Sequence, residues 1–498
     1  MDGVRKLIEK LDMVPEGKEL SLRQKITLVL WGIAVFLIPF LYIPYFIFQK
    51  LSLYPLVLIA FINIDKWWKL CWGNKLLRWI AFAIIAFIGW QAVSLPFAVK
   101  LSEITIDDNV KPLINNAIVY GSWYVFLATA FMFPREKLEK TFCCSFTAIL
   151  LCCACYSVIE IMHFCNVQWA TDFLSKSIHY LMVVENNGWW WPPVFWDQPR
   201  LRSVFPEPSY FAIMLVFSTL YYSARTLYLS NKKKNAISLI LMVLSAILLA
   251  LTKSAGGALA LSAATAFFIV LSLIFFRKLT VSERIKSGIL SVLLVTASLF
   301  AMGCQRGGFA EFTVMKKSLN QPVTVIKIPK TEKKVVEEKK RKKVKTPKVK
   351  RLHGSSSTRI IHLKTELREI SERPLLGAGY GEYSDTMCEA LKESTVETPE
   401  SRSWWMRQNT PRLNAYTAAM VEFGIPGGVL FLSIIFLPAM CMWITSIRKQ
   451  NFTTAITMGA VYCGLMTILN FANAVIMIYL MLFVLPLFMM ANTGKEDS

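Results

Sequence analysis

Two adjoining runs, Ala236–Thr252 (AISLILMVLSAILLALT) and Ala255–Phe276 (AGGALALSAATAFFIVLSLIFF), are separated only by Lys253 and Ser254, and neither contains a charged residue. Each approaches the roughly 20 apolar residues that a helix needs to cross the hydrocarbon of a bilayer. Lipid offers no hydrogen bonds to the backbone, so a run of this kind is read as a helix that satisfies its own amides. The same criterion carried outward gives about twelve spans, near 26–48, 51–65, 77–98, 113–133, 142–163, 207–229, 236–252, 255–276, 286–304, 412–445, 453–471 and 473–491. The second is short and interrupted by Asp65 and Lys66, which leaves eleven as the alternative count. With 498 residues, 55% of them hydrophobic, the chain lies outside the composition of ordinary soluble domains and reads as an all-α, polytopic membrane protein. Residues 1–24 are charged and lack an apolar core, which argues against a cleaved signal peptide.

Positive charge concentrates in alternate short loops. These hold Arg5, Lys6, Arg23 and Lys25; Lys66, Lys69, Lys75 and Arg78; Arg135, Lys137 and Lys140; Arg225 and Lys232 to Lys234; Arg277, Lys278, Arg284 and Lys286; and Arg448 and Lys449. With twelve spans, all of them fall on the side of both termini, and the positive-inside rule makes that side cytoplasmic. The loops around Glu103, Asp107 and Asp108, and around Glu185 and Asp197, then face outward, as does the long 305–411 loop.

That long loop divides in two. Residues 316–351 hold fifteen Lys or Arg and three Glu, and so supply +12 of the formal charge of +22. Such a composition predicts a solvated insert, a tether or an arm drawn to anionic lipid headgroups or acidic glycans. Its outward position makes nucleic acid a poor partner. Residues 355–411 read as structured: Arg359 to Ser371 predicts an amphipathic helix with Ile360, Ile361, Leu363, Leu367 and Ile370 near one face, stopped before Pro374. A second outward segment, 165–206, is rich in aromatics, with Trp189 to Trp191, Trp196, Pro192 and Pro193. It reads as a headgroup-level anchor or a platform for sugar rings. Cys143, Cys144, Cys152, Cys153 and Cys155 lie in one apolar span and read as small hydrophobes. A disulfide between two of Cys165, Cys304 and Cys388 is an open alternative, and no spacing supports zinc.

Four groups of residues are candidates for chemistry. The first is Arg200, Arg202 and Glu207 in Phe205-Pro206-Glu207-Pro208-Ser209-Tyr210. An ionisable residue at the mouth of a span is costly and reads as functional, although Glu207 also suits a helix N-terminus as a cap. The second is Lys253, which either snorkels or adds charge to a phosphate site. The third is Arg359, with His362, Arg368 and Arg373 nearby. A guanidinium presents a rigid fork of donors suited to phosphate oxygens, while Glu366, Glu369 and Glu372 offer these arginines ordinary ion pairs. The last is Arg407, Arg412, Asn414, Tyr416 and Glu422, followed by Phe423-Gly424-Ile425-Pro426-Gly427, whose glycines and proline predict a kinked span.

These segments resemble the bacterial O-antigen ligase and O-antigen polymerase (Wzy-like) superfamily of membrane glycosyltransferases. That family typically shows a Ser-Gly-Arg-like start to the loop helix, an Arg/His-Pro-Leu-Leu-Gly-x-Gly turn, and a His-Asn pair followed by Glu-x-Gly-Ile-x-Gly. Here Thr358-Arg359, Arg373 to Gly379, Asn414 and Glu422 to Gly427 carry the likeness, which covers about 200–430. Two positions depart from the pattern: Leu413 stands where ligases usually carry the histidine, and Ala255 stands where the family often has arginine. The turn around Glu207 is closer to capsule and exopolysaccharide polymerases.

The resemblance implies about twelve transmembrane helices in the bacterial inner membrane, both termini cytoplasmic, and a large periplasmic loop containing short helices. The expected layout is 1–304 for spans one to nine, 305–354 for the basic insert, 355–411 for the catalytic loop and 412–498 for the last three spans. It implies transfer of an undecaprenyl-pyrophosphate-linked glycan to another lipid-linked glycan. Glu207 and Arg359 would be catalytic, with Arg202, Arg200, Lys253, Arg412 and Asn414 binding substrate. The donor is already activated, so no cofactor is expected; the acidic residues are not spaced as ligands, so no metal is expected. The implied partners are the lipid-linked oligosaccharide, anionic membrane lipids and a chain-length regulator. The alternatives are an O-antigen ligase acting on lipid A core, a lipid-linked glycan flippase, and an inactive relative that binds glycan. Transporters usually show internal symmetry and polar, broken helices near the midplane, whereas the polar residues here gather at one face.

Overall fold

A computed structural model describes residues 19–40, 50–98, 110–181, 199–205, 207–228, 232–304, 350–351, 355–394 and 396–470. The Trp189–Trp191 platform, the 305–349 part of the basic insert, both termini and the expected last span lie outside the described residues. The described chain is almost wholly helical and divides into two units, one formed by 1–88, 114–308 and 430–498, the other by 89–113 and 309–429.

The first unit contains α1 (Leu22–Phe36), α2 (Leu53–Ile62), α3 (Ile64–Gly73), most of α4 (Lys75–Ala98), α5 (Lys111–Ala130), α6 (Arg135–Phe164), α7 (Gln168–Leu181), α8 (Pro208–Tyr228), α9 (Lys232–Leu251), α10 (Ala255–Ile274), α11 (Val281–Gly303) and α16 (Phe452–Ile468). Their starts are legible in the chain. Ser21 with Gln24, and Thr280 with Glu283, form capping boxes at α1 and α11, each satisfying amides that have no partner inside the helix. Between α9 and α10 the backbone turns at Lys253, with φ +49°, and the Ser254 hydroxyl then accepts from Gly257 N at 3.3 Å.

Small residues let these helices approach, as lipid-embedded packing requires. A Cβ on Gly257 would lie 2.8 Å from that of Ala212, and one on Gly459 would lie 2.4 Å from Leu271 Cδ1, so α8 and α16 press against α10. Trp31 is fully buried, stacks on Phe126 at 4.8 Å and donates its indole N–H to Phe126 O. Trp31→Ala is expected to cost about 3–5 kcal/mol, as large aromatic truncations in cores do. A melting curve of the purified protein in detergent that matched the parent would refute this.

Among the described residues, six helices are long and apolar enough to cross a membrane: Lys75–Pro96, Glu136–Phe164, Lys233–Leu251, Ala255–Ile274, Val281–Gly303 and Ala415–Leu437. The remaining expected spans differ in form. The 51–65 run is two helices, α2 and α3, broken at Asn63, whose buried amide donates to Thr27 Oγ1 and Ile59 O. α5 and α8 have the length but carry Asn115 and Asn116, or Ser218, Thr219, Arg225 and Thr226, which lower their hydropathy. All eleven cysteines are free thiols, so the disulfide alternative among Cys165, Cys304 and Cys388 is set aside.

The second unit holds α12 (Ser355–Glu372), α13 (Tyr383–Lys392), α14 (Pro399–Met406) and the start of α15 (Ala415–Arg448). A two-residue parallel ladder joins β1 (Lys350–Arg351) to β2 (Val396–Glu397). α12 starts four residues before the expected Arg359 and ends two residues before Pro374.

Candidate functional site

Within the second unit, two segments far apart in sequence lock together. After α12, the Pro374–Gly381 turn lies against the Val421–Gly427 segment of α15. Ala378 N donates to Val421 O at 2.7 Å, Gly379 N to Glu422 O at 2.9 Å, and Ile425 N to Pro374 O at 2.8 Å. Gly424 breaks the helix with φ +70° and ψ 178°, and the Phe423 carbonyl freed there accepts from Trp90 Nε1 at 2.8 Å. Gly377 and Gly424 meet backbone to backbone: a Cβ on Gly424 would lie 2.0 Å from Leu375 O, and one on Gly377 would lie 2.5 Å from Gly424 N. Only glycine fits both positions, because each combines a left-handed φ with a neighbour that cannot yield.

The clip holds an ion pair. Glu422 is nearly buried, and both its carboxylate oxygens accept from Arg412 Nη2, at 2.9 and 2.8 Å. Gly381 N donates to Glu422 Oε1 at 2.8 Å. The Arg412 guanidinium lies 5.4 Å from the centroid of the Tyr383 ring. Burial alone would lower the Arg412 pKa, but the Glu422 carboxylate beside it raises it, and the net shift is upward. Two residues on, the Asn414 side chain accepts from Tyr416 N and Thr417 N at 2.9 and 3.2 Å, so it caps α15.

Beneath this lies a second polar cluster. Glu366 of α12 is fully buried and accepts from Tyr383 Oη at 2.6 Å and from Thr417 Oγ1, while His362 Nδ1 sits 3.6 Å away. Burial, with Glu366 alongside, holds the Tyr383 pKa well above its ordinary value, so it stays a donor. Arg359 sits one turn before His362 on α12 and is half-buried. The Thr358 hydroxyl donates to Thr398 Oγ1 at 2.9 Å, tying the start of α12 to the cap of α14. Arg368 pairs with Glu369 at 2.6 Å, the ordinary ion pair anticipated for it.

In the first unit, the Arg200–Phe205 segment lies along the α9–α10 hairpin. Leu201 N donates to Leu251 O at 3.1 Å and Arg200 Nε to Thr252 O at 3.0 Å. Arg200, Arg202 and Lys253 thereby belong to one loop cluster. Arg202 is only 1% exposed and lies 3.9 Å from the buried Glu160 carboxylate of α6, which also accepts from Ser203 N at 2.8 Å and Arg202 N at 3.2 Å. Burial draws the Arg202 guanidinium down to about 10 against the raising effect of Glu160. Glu207 is not the partner of Arg202. Its carboxylate accepts from Ser209 Oγ at 2.8 Å, and its carbonyl accepts from Tyr210 N and Phe211 N at the start of α8.

Sequence reasoning passed over Glu160 and read Glu366 only as an ion-pair partner for the loop arginines. A carboxylate inside the apolar 142–163 run was itself the signal for Glu160, since a buried charge in a span needs a partner. Glu366 carried no such mark, because a glutamate on an amphipathic loop helix usually faces water.

The multiple apolar helices fit a multi-pass membrane protein. Residues 240–432 match the family model described as O-antigen ligase, which is consistent with the O-antigen ligase and polymerase superfamily. The matched region includes Lys253, Arg359, Arg412, Asn414 and Glu422, while Arg200, Arg202 and Glu207 precede it. No curated protein matches the chain.

Proposed function

We propose that the protein is a polysaccharide repeat-unit polymerase, acting at the periplasmic face of the bacterial inner membrane on undecaprenyl-pyrophosphate-linked glycans. In the proposed step the acceptor hydroxyl oxygen bonds to the anomeric carbon of the donor glycan. The bond from that carbon to the diphosphate oxygen breaks, and undecaprenyl pyrophosphate leaves with the electron pair. Glu207 orients the hydroxyl and takes its proton. Arg359 and Arg412 hold diphosphate charge, a role suited to guanidinium forks; Arg202, Arg200 and Lys253 add positive charge, and Asn414 contributes by capping the helix that follows Arg412.

The observation that carries this reading is the clip itself. The Pro-Leu-Leu-Gly-x-Gly turn and the Glu-Phe-Gly-Ile-Pro-Gly segment, which together bear the family likeness, are one interlocked element around Arg412 and Glu422. Leu413, in place of a histidine, favours polymerase over ligase. The family description favours a second reading, ligation to lipid A core.

The test is purified protein with a synthetic polyprenyl-pyrophosphate oligosaccharide. A ladder of longer glycans is expected; product that stays at unit length rejects the polymerase, and transfer to lipid A core establishes the ligase instead. Arg359→Ala is expected to lower elongation at least roughly a hundredfold, as loss of a charge-stabilising donor does, with the protein still present at parental levels. Retained elongation removes Arg359 from the site, and the same assay on Glu207→Ala judges Glu207.

A further inference from the structure

The Gly377-Ala378-Gly379-Tyr380-Gly381 run invites comparison with glycine-rich loops whose amides cradle phosphate. Its amides are otherwise engaged. Gly377 N donates to Arg373 O, Ala378 N to Val421 O, Gly379 N to Glu422 O and Gly381 N to the Glu422 carboxylate. Four of the five donors that could form an anion nest are spent inside the clip, two of them on Glu422. The turn's amides are therefore committed to backbone carbonyls and, at Gly381, to the Glu422 carboxylate, and any anion in this unit must find its donors elsewhere.

Arg412 supplies them. In a fork-to-fork pair a guanidinium commits two nitrogens to a carboxylate. Here Nη2 alone takes both Glu422 oxygens, Nε is buried without a hydrogen-bond partner among the described residues, and Nη1 is the nitrogen that remains. The two members of the pair also differ in exposure: the Glu422 side chain is 4% exposed and that of Arg412 is 36% exposed. The Tyr383 ring under the guanidinium fixes its plane, and Tyr383 is itself anchored by its bond to Glu366.

We infer that Glu422 is a positioning residue: it couples the glycine turn to Arg412 and holds that guanidinium with Nη2 committed and Nη1 left to a diphosphate ester. The inference rests on the proposed reading for the identity of the ester, the polyprenyl diphosphate of the donor. Glu422 touches no substrate; it acts through Arg412.

The experiment uses full-length protein in nanodiscs and measures binding of three probes: a synthetic polyprenyl pyrophosphate, the polyprenol of equal length, and phosphatidylglycerol. The parent is expected to prefer the diphosphate over both. Arg412→Lys keeps a charge beside Glu422 but has no second nitrogen to offer a ligand. It is expected to melt like the parent and to lose roughly tenfold in diphosphate affinity, about the worth of one charge-assisted hydrogen bond. Glu422→Gln is expected to lose a similar factor. The double variant should bind no worse than Arg412→Lys alone, because residues acting through one another are not additive.

Independent, additive losses would mean that Glu422 does not work through Arg412, and would overturn the inference. So would diphosphate affinity unchanged in Arg412→Lys, which needs no result from Glu422→Gln. A preference for phosphatidylglycerol that Arg412 controls would assign the guanidinium to bulk lipid and equally refute it. Glycan elongation is scored separately: a parent that binds diphosphate through Arg412 yet never elongates glycan refutes the polymerase and leaves the inference standing.

Discussion

Gly424→Ala is expected to disrupt the second unit outright. The new Cβ would lie 2.0 Å from Leu375 O and 2.4 Å from Leu375 C, both backbone atoms that no rotamer change can move. Its φ of +70° is strained for any residue with a side chain, which alone costs on the order of 1–3 kcal/mol; the overlap adds to that. Relief would require the Pro374–Gly381 turn to part from α15, and with it the bonds from Ile425 N to Pro374 O and from Gly379 N to Glu422 O. The expected result is a large fall in the yield of folded protein and a lowered melting transition. Gly428→Ala in the same helix is the comparison, since its close neighbour is the flexible Met420 side chain and it should be far milder. Equal behaviour of the two would show that the clip does not carry the stability of this segment.

Glu160→Ala is expected to be among the costliest changes in the first unit. The Glu160 carboxylate lies in the interior beside Arg202 and accepts two amides of the loop that carries it. Removing one member of a buried ion pair typically costs about 3–5 kcal/mol, because the remaining charge keeps its desolvation without its counter-charge. Exchanging both members for apolar residues of similar volume is often close to neutral. Glu160→Leu combined with Arg202→Met is therefore expected to melt well above Glu160→Ala. Glycan elongation then divides two roles for Arg202. Recovery of activity in the double variant assigns it to holding the 200–205 loop, whereas recovered stability without activity assigns its guanidinium to the substrate. A parental melting curve for Glu160→Ala would contradict the pairing.

Much of the candidate site could be read from the chain. Arg412, Asn414 and Glu422 stood out as a group, and the kink was expected from Gly424 and Pro426; the backbone does break at Gly424. The amphipathic helix around Arg359 is present, and its polar face is more buried than expected, with His362 and Glu366 both inside. Arg202 has Asp197 and Glu207 equally near in sequence, yet its partner comes from α6, forty-two residues earlier. The 51–65 run reads as one span by hydropathy, but Asn63 ends α2 by bonding to Thr27 of α1, a contact that no local window contains.

The amino-acid order alone determined the helical, multi-pass character of the protein and the places where its helices start. These follow from apolar runs, capping residues and prolines, whose effects act over one or two turns. Only the tertiary structure decided which carboxylate faces which guanidinium, and that the amides of the glycine turn are spent within the clip. Ion pairs and backbone clips are set by proximity in space, and a chain folded back on itself brings Gly377 to Gly424 and Glu160 to Arg202 without any trace in the spacing between them.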